Sequence, residues 1–569
     1  MSSTTEHMVT WKDIPWKKFH RHVYRLQKRI FKASLRGDVG TMRRLQKVLM
    51  KSFAAKCLAV RRVTQDNQGK STAGMDGIKS LTPKQRLELV KILKLGTKAK
   101  ATRRVMIPKP GKTEKRPLGI PTMYDRALQG LVKQALEPEW EAKFEPNSYG
   151  FRPGRSAHDA IQAIYNSINK KPKFVFDADI SKCFDQIKHD ALLNKLNTFP
   201  ALRHQVKAWL KAGYIHNHQW EPTDAGTPQG GVISPLLANI ALHGLEEHIR
   251  KCLTSGQKAQ RALGVSRYAD DFVILHEDIK VIRAGMAAVK NFLASIGLEL
   301  HPSKTRTAHT LHKYEHEEPG FNFLGFNIRQ YTVGKHHSKR GYKTLIKPQK
   351  EKVQTHHQKL ADIIVEMRAM PQEVLIKRLN AIIKGWSNYN RAVVSKETFT
   401  KLDNLLYWNL RNWGKHRHPN KTGEWVYERY WRRIQEGDYD AKTFATRLEG
   451  KKACWLASHE RTPIVRHEKV QGNRSPYDGD LIYWSTRLGE HPEMDVSVAK
   501  LLKRQNGKCA YCRLNFMDGD LLEKDHVIPR SLGGRNSYSN LELLHRHCHD
   551  KKTVNDGSLT SPNVKEAVK

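Results

Sequence analysis

The N-terminal segment has the hydrophobic spacing of amphipathic helices. Phe19, Val23, Leu26 and Ile30 recur every three or four residues, which places them on one helical face. The stretch RGDVG then interrupts this pattern with glycine and aspartate. Residues 15–60 are therefore predicted to form two basic helices.

Farther along the chain the hydrophobic pattern changes several times. Residues 61–345 alternate short apolar runs with helical segments, which predicts an α+β core. Residues 346–450 are predicted to be helical and are rich in Lys, Arg and Trp. Residues 451–500 have the turn signals of a linker or a small basic module. The last compact unit spans about 501–555 and is followed by a polar tail.

Tryptophan is concentrated in the C-terminal half of the chain. Seven of the 12 tryptophans are Trp386, Trp408, Trp413, Trp425, Trp431, Trp455 and Trp484. Large aromatic side chains contribute most to folding when they are buried, so most of these are predicted to be structural. Stacking on a base or a ribose is the alternative for a minority of them.

Two apolar segments each carry aspartates where a strand is predicted to end. The stretch FVFDADISKCFDQI (174–187) places Asp179 at the end of one such strand. The stretch RYADDFVIL (267–275) fits a β-hairpin whose tip carries Asp270 and Asp271. Three carboxylates brought together would repel, and a divalent cation removes that repulsion. The pattern predicts a Mg²⁺ site of the two-metal type used for displacement at phosphorus, with two unrelated surface turns as the alternative.

The charge of the chain indicates the kind of partner. The 569 residues carry 100 Lys and Arg against 56 Asp and Glu, a net charge of +44 with a pI near 10.0. Such an excess favours a large polyanion, above all a nucleic acid. A membrane is less favoured, because the charge flanks no apolar anchor and no run of about 18 apolar residues exists. Length suggests about three or four domains.

Two further stretches suit the handling of a nucleotide. GTPQGGVISPLLANI (226–240) is a glycine-rich turn that enters a helix, where exposed backbone and Gln229 could line the floor beneath a base pair. RRVMIPKPGKTEKRPLGIPT (103–122) is predicted to be a hairpin suited to gripping a triphosphate. Its basic side chains are Arg103, Arg104, Lys109, Lys112, Lys115 and Arg116. Lys304 in HPSKT could protonate departing pyrophosphate, although ordinary phosphate-backbone contact is the alternative for most of these cations.

The C-terminal unit contains a metal-binding pattern. Cys509 and Cys512 have CxxC spacing, and His545 and Cys548 have HxxC spacing. These ligands suit tetrahedral Zn²⁺, and a unit of about fifty residues with little core needs such a staple. Free thiols that cluster by chance are the alternative. The odd and otherwise scattered set of seven cysteines favours a reducing compartment.

These motifs resemble those of a known family. YADD, DADI followed by FD, TPQGGVISPLLANI and NSYGFRPGRSAHDAI are similar to the reverse-transcriptase motifs of group II intron-encoded proteins. VTQDNQGKSTAGMDG (63–77) resembles the extra N-terminal motif of that family. FNFLGFNI (321–328) resembles its primer grip, and LNAIIKGWSNYNR (379–391) its thumb, called domain X or the maturase domain. The likeness covers nearly the whole chain in the expected order.

The resemblance assigns roles to individual residues. Asp179 and Asp270 are expected to be the principal Mg²⁺ ligands, and Asp271 to complete the carboxylate set. Phe184 matches the steric gate that rejects a 2′-hydroxyl. Cys183 stands where the family often has a second Phe, which implies a changed pocket wall with retained activity. The residues expected to bind the incoming nucleotide are Ile180, Phe184, Gln229, Lys109, Arg116 and Lys304.

The C-terminal unit also resembles the HNH, or ββα-metal, nuclease motif. Asp525 and His549 are expected to hold one Mg²⁺ or Mn²⁺ against a phosphate. His526 would take a proton from the attacking water, and Asn540 would orient the loop and His526. A purely structural zinc module is the alternative.

One zinc-ligand position departs from the family pattern. The family usually has cysteine where this chain has His545, and His547 is a neighbouring candidate. His545 is preferred because it keeps the two-residue spacing to Cys548. The zinc affinity is the property that this departure affects most directly.

The resemblance implies an α+β right-hand polymerase of fingers, palm and thumb, followed by a small DNA-binding region and a ββα-metal HNH domain. The expected domains are a basic helical extension (1–60), fingers and palm (61–345), thumb or domain X (346–450), a DNA-binding region or linker (451–500) and the HNH unit with its tail (501–569).

The implied function is that of a multifunctional mobile-intron protein. It would act as an RNA-directed DNA polymerase, as a maturase for its intron RNA and as an HNH endonuclease that nicks target DNA for target-primed reverse transcription. The expected partners are group II intron RNA, target DNA and dNTPs, with no membrane. The rivals are a reverse transcriptase of another kind and a non-catalytic splicing cofactor.

The N-terminus bears on the expected location. It lacks a secretory apolar core, which favours the bacterial cytoplasm, with nucleoid association during action on DNA. An organelle stays open, because the basic residues 16–36 could mimic a transit peptide.

Overall fold

The computed structural model describes residues 10–108, 114–253, 262–436, 439–446, 453–517 and 519–555. Helices and short strands alternate along these residues, so the predicted α+β class is confirmed. No described helix is at once long and apolar enough to cross a membrane.

The N-terminal region consists of helices followed by a hairpin. Its elements are α1 (Trp16–Leu35), α2 (Val39–Lys51), α3 (Phe53–Arg61), α4 (Pro83–Ile92), β1 (Thr102–Pro108), β2 (Lys115–Ile120) and α5 (Met123–Glu141). Two helices were expected over 15–60 and three form, because Ser52 is extended and separates α2 from α3. The predicted break is confirmed: Gly37 adopts a left-handed φ of 71°, and Asp38 caps α2 by accepting from the Thr41 amide.

A four-stranded antiparallel sheet, here called the central sheet, lies in the middle of the chain. The elements of this region are α6 (Ala157–Ile168), β3 (Phe174–Asp179), α7 (Cys183–Gln186), α8 (His189–Leu196), α9 (Pro200–Leu210), β4 (Tyr214–His216), β5 (Gln219–Glu221), α10 (Ser234–Leu242), α11 (Leu245–Cys252), β6 (Gly264–Tyr268), β7 (Asp271–His276), α12 (Ile279–Ser295) and β8 (Arg306–His309). The strand order in the central sheet is β6-β7-β3-β8, and β1, β2, β4 and β5 form a second sheet.

Both faces of the central sheet are covered. Phe176 and Phe272 point into the largest core, which also contains the N-terminal helices. Val175 and Val273 point into a second core on the opposite face. Burial on both sides explains why these strands are apolar almost without interruption, and why their aspartates stand out.

Residues after the central sheet form two more sheets and a helical bundle. The elements are β9 (Phe321–Phe323), β10 (Phe326–Thr332), β11 (Tyr342–Pro348), α13 (Lys350–Glu366), α14 (Gln372–Asn390), α15 (Lys396–Arg417), α16 (Gly423–Tyr430), β12 (Trp431–Glu436), β13 (Tyr439–Thr446) and β14 (Cys454–Trp455). The helical prediction for 346–450 is wrong beyond Tyr430, where β12 and β13 form a hairpin. Trp431 lies opposite Phe444 in that hairpin, and burial of this pair favours the strands.

The tryptophans follow the predicted division. Trp413, Trp431 and Trp484 are buried, and Trp386 and Trp455 are partly buried. Trp408 and Trp425 are exposed, at 56% and 37% of their surface, and stay available for stacking.

Residues 459–495 are packed on the body of the protein instead of forming a free linker, and we call them the strap. The Asp159 carboxylate accepts hydrogen bonds from the Val470 amide (2.7 Å), His467 (3.0 Å) and Arg487 (2.6 Å). Burial opposes ionisation of Asp159, but His467 and Arg487 hold its pKa well below the ordinary value. The turn signals in residues 459–495 therefore belong to a segment that is bound to the body of the protein through Asp159.

The C-terminal unit has the predicted ββα arrangement. Its elements, together with the two helices before them, are α17 (Leu481–Leu488), α18 (Val496–Arg504), β15 (Leu522–His526), β16 (Leu541–His545) and α19 (Arg546–Asn555). β15 and β16 pair antiparallel and pack with α18 and α19 around a small core.

Candidate catalytic and metal-binding sites

The central sheet brings the three predicted aspartates to one edge. Asp179, the last residue of β3, pairs with Asp271, the first residue of β7. Tyr268 pairs with Asp271 across the β6–β7 hairpin, so Ala269 and Asp270 form its two-residue turn. The predicted hairpin is therefore present, with Asp270 in the turn and Asp271 already in the strand.

Asp270 and Asp271 lie in surroundings that disfavour their negative charge. Burial raises the pKa of Asp271 to about 7, and Asp270 and Asp179 add to this effect. Burial also raises the pKa of Asp270, while the positive charges of Arg116 and Lys304 act against it. A cation placed among these groups would therefore be strongly stabilising.

Lys304 is held against the aspartates by backbone pairing. The His301 amide donates to the Asp179 carbonyl (2.8 Å), and the Ser181 amide donates to the Glu299 carbonyl (2.9 Å). These bonds place the 3₁₀ turn Pro302–Lys304 beside β3, and the Lys304 ammonium forms an ion pair with the Asp179 carboxylate. That hydrogen bond raises the pKa of Lys304. The predicted phosphate-side lysine thus lies at the aspartate edge.

The stretch 147–161 supports the aspartate turn from behind. The Arg267 guanidinium is buried and donates to Asn239 Oδ1 (3.1 Å) and to the Ala269 carbonyl (3.2 Å). Asn239 Nδ2 donates in turn to the Gly150 carbonyl (2.8 Å). Ala269 has a φ of 58°, which a non-glycine residue adopts only when its surroundings enforce it. The turn that carries Asp270 is therefore held by residues distant in the sequence.

Gly150→Ala is expected to distort this turn. An added Cβ would lie 2.4 Å from the Ala269 nitrogen and 2.9 Å from the Tyr268 carbonyl carbon, so backbone must move. We expect a loss of about 1–3 kcal/mol in the free energy of unfolding and at least a tenfold loss of the DNA synthesis that the resemblance implies. The control is Gly385→Ala in α14. Apart from the neighbouring backbone of the helix itself, no described atom lies within 4 Å of the added Cβ there, and a gain of up to about 1 kcal/mol is expected. Thermal unfolding and primer extension check both; equal effects of the two variants would contradict the close-contact argument.

Phe184 lies next to the glycine-rich turn. Its carbonyl accepts from the Thr227 amide (2.6 Å), and a Cβ on Gly226 would lie 2.5 Å from the same oxygen. The Phe184 ring meets the ring of Phe151, with centroids 6.1 Å apart. Ile180, which was expected to contact the nucleotide, is fully buried and packs in the largest core. An aromatic pair beside the aspartate-bearing strand is thus present, and sequence reasoning missed Phe151.

The remaining predicted nucleotide contacts are placed as follows. The hairpin predicted over 103–122 is confirmed, with Ile107 opposite Arg116. The Gln229 carbonyl accepts from the Gly119 amide (2.6 Å), which joins the glycine-rich turn to β2. Arg116 is exposed and near enough to affect Asp270, whereas Lys109 lies outside the described residues.

The predicted zinc ligands come together. Ligand atoms of Cys509, Cys512, His545 and Cys548 all lie within 4.8 Å of one another. Cys512 Sγ is 3.4 Å from His545 Nδ1, and the other ring nitrogen of His545 is 3.4 Å from Asp520 Oδ2. A carboxylate behind a histidine ligand is the usual second partner of a zinc site. The donor set therefore fits tetrahedral Zn²⁺, with His545 as its histidine.

Within the part of the chain that the structure describes, this is the one group of His, Cys, Asp and Glu side chains gathered so closely. The aspartates of the central sheet lie at the same end of the sheet, but their carboxylates are not gathered within 4.8 Å of one another as the zinc ligands are. Asp179 forms an ion pair with Lys304 instead.

The HNH residues lie on three elements: Asp525 and His526 end β15, Asn540 ends the loop before β16, and His549 lies on α19. Asn540 accepts from the Ile528 amide and donates to the Ile528 and Arg535 carbonyls, each at 2.9 Å. Asn540 thus organises the loop, while its expected role in orienting His526 stays a prediction. Its side chain bonds to backbone here, and the His526 ring contacts Asn536 Oδ1 at 3.4 Å, a partner that sequence reasoning missed.

A lysine also holds the predicted metal ligand of this module. Lys552 Nζ lies 2.8 Å from Asp525 Oδ2 and 2.9 Å from Glu542 Oε1. Lys552 and His549 share α19, which packs against β15, the strand that carries Asp525. Burial disfavours the charge of Lys552, but these two carboxylates raise its pKa.

Family models match four consecutive parts of the chain. Residues 11–93 match the N-terminal domain of reverse transcriptase, and residues 107–328 match reverse transcriptase (RNA-dependent DNA polymerase). Residues 353–431 match the group II intron maturase-specific domain, and residues 509–555 match HNH endonuclease. Their order is the one that the sequence motifs predicted.

Several curated proteins are similar to this chain. Protein YkfC of Escherichia coli is 31% identical over 328 residues, which cover 50% of this chain and 83% of YkfC. The group II intron-encoded protein LtrA of Lactococcus lactis is 37% identical over 222 residues, covering 38% of this chain and 36% of LtrA. An uncharacterized 91 kDa protein in a cob intron of Schizosaccharomyces pombe is 27% identical over 368 residues, covering 52% of this chain and 44% of that protein. The chain therefore spans most of YkfC but less than half of the two intron proteins.

The fold, the order of the motifs and the similar proteins all indicate the same family. The chain therefore belongs to the group II intron-encoded proteins and combines reverse transcriptase, maturase and HNH endonuclease domains in one polypeptide.

Proposed function

We propose that the chain is a right-hand polymerase that copies intron RNA into DNA at a target nicked by its own HNH unit. The observation that carries this proposal is the meeting of Asp179, Asp270 and Asp271 at one edge of the central sheet. The proposed units are a helical extension (1–60), fingers and palm (61–345), thumb or maturase domain (346–450), a DNA-binding region (451–500) and the HNH unit (501–569).

The aspartate edge is proposed to be the polymerase centre. Asp179 and Asp270 would hold two Mg²⁺, with Asp271 as the supporting carboxylate. Bound Mg²⁺ neutralises the phosphates and stabilises the charge that develops at phosphorus. The raised pKa values of Asp270 and Asp271 support this role, because a nearby cation removes the penalty that raises them.

The surrounding residues are proposed to bind the incoming dNTP. Lys304 can exchange Asp179 for phosphate oxygens and give a proton to departing pyrophosphate. Arg116 and Lys109 are proposed to contact the triphosphate, and Gln229 with Ile180 to bound the pocket. Phe184 would stand against the sugar, where a 2′-hydroxyl has no room.

The HNH unit is proposed to cut the second DNA strand. His526 would take a proton from the attacking water, and its contact with Asn536 orients the ring. Asp525 and His549 would hold one Mg²⁺ or Mn²⁺, which supplies charge stabilisation at the scissile phosphate. Zn²⁺ at the four-residue cluster would hold the module together.

The partners follow from the charge and the family. With 100 basic residues the chain can contact many phosphates, so binding to intron RNA and target DNA should be tight and should weaken steeply with salt. Group II intron RNA is the proposed maturase partner. We place the protein in the bacterial cytoplasm, associated with the nucleoid while it acts on DNA.

The test of the polymerase proposal is direct. Purified protein with poly(rA)/oligo(dT), dTTP and Mg²⁺ is expected to synthesise DNA. A folded preparation that binds RNA and makes no DNA would contradict it and would favour a non-catalytic splicing cofactor.

Phe184→Ala is expected to relax the choice of sugar. Loss of the ring next to Phe151 opens space for a 2′-hydroxyl, so incorporation of ribonucleotides should rise about tenfold or more relative to dNTPs. Single-nucleotide extension with rTTP and dTTP measures the ratio. Phe151→Ala is the comparison variant, since it removes the neighbouring ring without removing the proposed gate. Unchanged selectivity in Phe184→Ala would reject the assignment.

His526→Ala is expected to remove second-strand nicking and leave DNA synthesis intact. Loss of the proposed base should slow cleavage by about 100-fold or more. The control is His547→Ala, because His547 stacks on His545 in the same module and has no proposed chemical role. Nicking by purified ribonucleoprotein on a labelled target duplex gives the readout. Normal nicking by His526→Ala would mean that another group activates the water.

A further inference from the structure

A basic cavity lies between the C-terminal end of α6 and the β10–β11 hairpin. Its volume is about 330 Å³, within the range of pockets that bind ligands. The lining includes Tyr165, Asn169, Lys339, Arg340, Tyr342 and Lys343. The cavity belongs to the β11-β10-β9 sheet and therefore lies outside the central sheet that carries the aspartates.

The charge of this cavity has one sign. Lys339, Arg340 and Lys343 contribute three cations, and no Asp or Glu among the described residues lines the cavity. None of these three side chains forms an ion pair with a carboxylate of the described residues. Unpaired cations around a concavity focus a positive potential and favour an anion.

The cavity is held in shape by buried polar contacts. The Gln330 side chain is 1% exposed, donates to the Ile168 carbonyl (2.8 Å) and accepts from Thr310 (2.6 Å). Arg340 Nη1 donates to the Asn169 carbonyl (2.7 Å) at the end of α6. That carbonyl end of the helix would repel an anion, and the guanidinium covers it. The hairpin is therefore joined to the end of α6 at two adjacent residues.

One buried hydroxyl of the cavity lacks a partner. Tyr342 is 8% exposed, and its hydroxyl has no hydrogen-bond partner within the described residues. A buried donor without an acceptor is unfavourable, and an anionic oxygen would satisfy it. This observation is independent of the lysines and favours an acceptor on the ligand. Asn169 Oδ1 in the same lining is also buried with no partner among the described residues, so it calls for a donor on the ligand.

We propose that this cavity binds a backbone phosphate of the intron RNA. The inference rests on the proposed RNA-binding function and adds a specific site to it. RNA suits this lining better than DNA, because the 2′-hydroxyl of RNA can donate to Asn169 Oδ1, a buried acceptor with no partner among the described residues. Lys339, Arg340 and Lys343 neutralise the phosphate, and the Tyr342 hydroxyl donates to one of its oxygens.

The first experiment removes the charges. The triple variant Lys339→Gln, Arg340→Gln, Lys343→Gln is titrated with intron RNA at several salt concentrations. We expect about a tenfold weaker affinity near physiological salt and a salt slope smaller by about one unit or more. The matched control is Lys207→Gln, Lys280→Gln, Lys290→Gln, which removes the same charge from exposed positions outside the cavity. The control is expected to change the slope by less than about half a unit.

The second experiment separates binding from structure. Tyr342→Phe removes a hydroxyl that has no partner, so the melting temperature should stay the same or rise. RNA affinity should nevertheless fall, by about threefold to tenfold. A merely structural hydroxyl would not produce these opposite changes. Unchanged affinity in Tyr342→Phe would overturn the role of the hydroxyl.

The outcomes distinguish a failure of the phosphate site from a failure of the proposed maturase function. If the unaltered protein fails to bind intron RNA tightly, the proposed maturase function fails. If it binds and the triple variant binds equally well with the same salt slope, only the phosphate site is overturned. Parallel titrations with target duplex DNA and with inorganic phosphate identify the source. Weaker DNA binding with unchanged RNA binding would overturn the assignment to RNA.

Discussion

Asp270→Ala is expected to abolish DNA synthesis while the protein stays folded. Asp270 occupies the two-residue turn between β6 and β7, where its carboxylate faces Asp179 and removal of its side chain leaves the strands paired. Loss of a proposed Mg²⁺ ligand should reduce synthesis by at least about 1,000-fold, or about 4 kcal/mol of transition-state stabilisation. Burial raises the pKa of Asp270, so removal of this carboxylate should not lower the thermal stability.

The same variant separates the polymerase from the maturase. RNA gripping uses cations spread over the surface, so RNA-assisted splicing by Asp270→Ala should remain close to normal. Primer extension and splicing are measured on one preparation, with Asp190→Ala as the control because Asp190 is exposed in the first turn of α8. That control should lose at most about 1 kcal/mol of stability and no synthesis. Loss of splicing together with synthesis in a folded Asp270→Ala protein would contradict this division of roles.

Cys509→Ala is the second substitution with a large expected effect. Cys509 is buried at the centre of the four-residue cluster, and the small core around it cannot replace a metal. Amide hydrogen bonds from Cys512, His545 and Tyr511 lower the pKa of Cys509 although burial opposes them, which favours the thiolate that Zn²⁺ requires. Structural zinc contributes about 10–16 kcal/mol in comparable small modules, so the HNH unit should unfold.

We therefore expect Cys509→Ala to bind about one zinc fewer per chain and to lose target nicking entirely. DNA synthesis on poly(rA)/oligo(dT) should persist, because the aspartate edge belongs to a separate core. Cys252→Ser is the control, since Cys252 is exposed and lies outside the cluster. Zinc analysis, proteolysis of the C-terminal unit and a nicking assay give the readouts. Full nicking by Cys509→Ala with unchanged zinc content would contradict the proposal that zinc at this cluster stabilises the HNH unit.

Local patterns in the sequence predicted much of the chemistry. The aspartates that follow apolar strands, the CxxC and HxxC pairs, the β1–β2 hairpin and the first helix break all depend on neighbours a few residues apart. Periodicity and turn signals report such neighbours, so the structure agrees with these predictions. Where local signals were weak, as at Tyr430, the prediction failed and strands replaced helix.

Other parts of the site depend on contacts between distant residues. Lys304 and Asp179 lie 125 residues apart in the chain, and the strap reaches Asp159 across 328 residues at Arg487. No periodicity encodes such partners. The same holds for the Gly150 contact with Ala269 and for the contact of Phe151 with Phe184.

The sequence by itself thus determined which residue types are available for chemistry: aspartates after apolar strands, a Cys and His set with metal-ligand spacing, a DH…N…H pattern and an excess of basic residues. Only the tertiary structure decided how these groups are placed. It set Asp271 opposite Asp179, gave both Asp179 and Asp525 a lysine partner, and docked residues 459–495 on the body. The physical reason is that residue type and local spacing set chemical capacity, whereas strand register and core packing between remote segments set geometry.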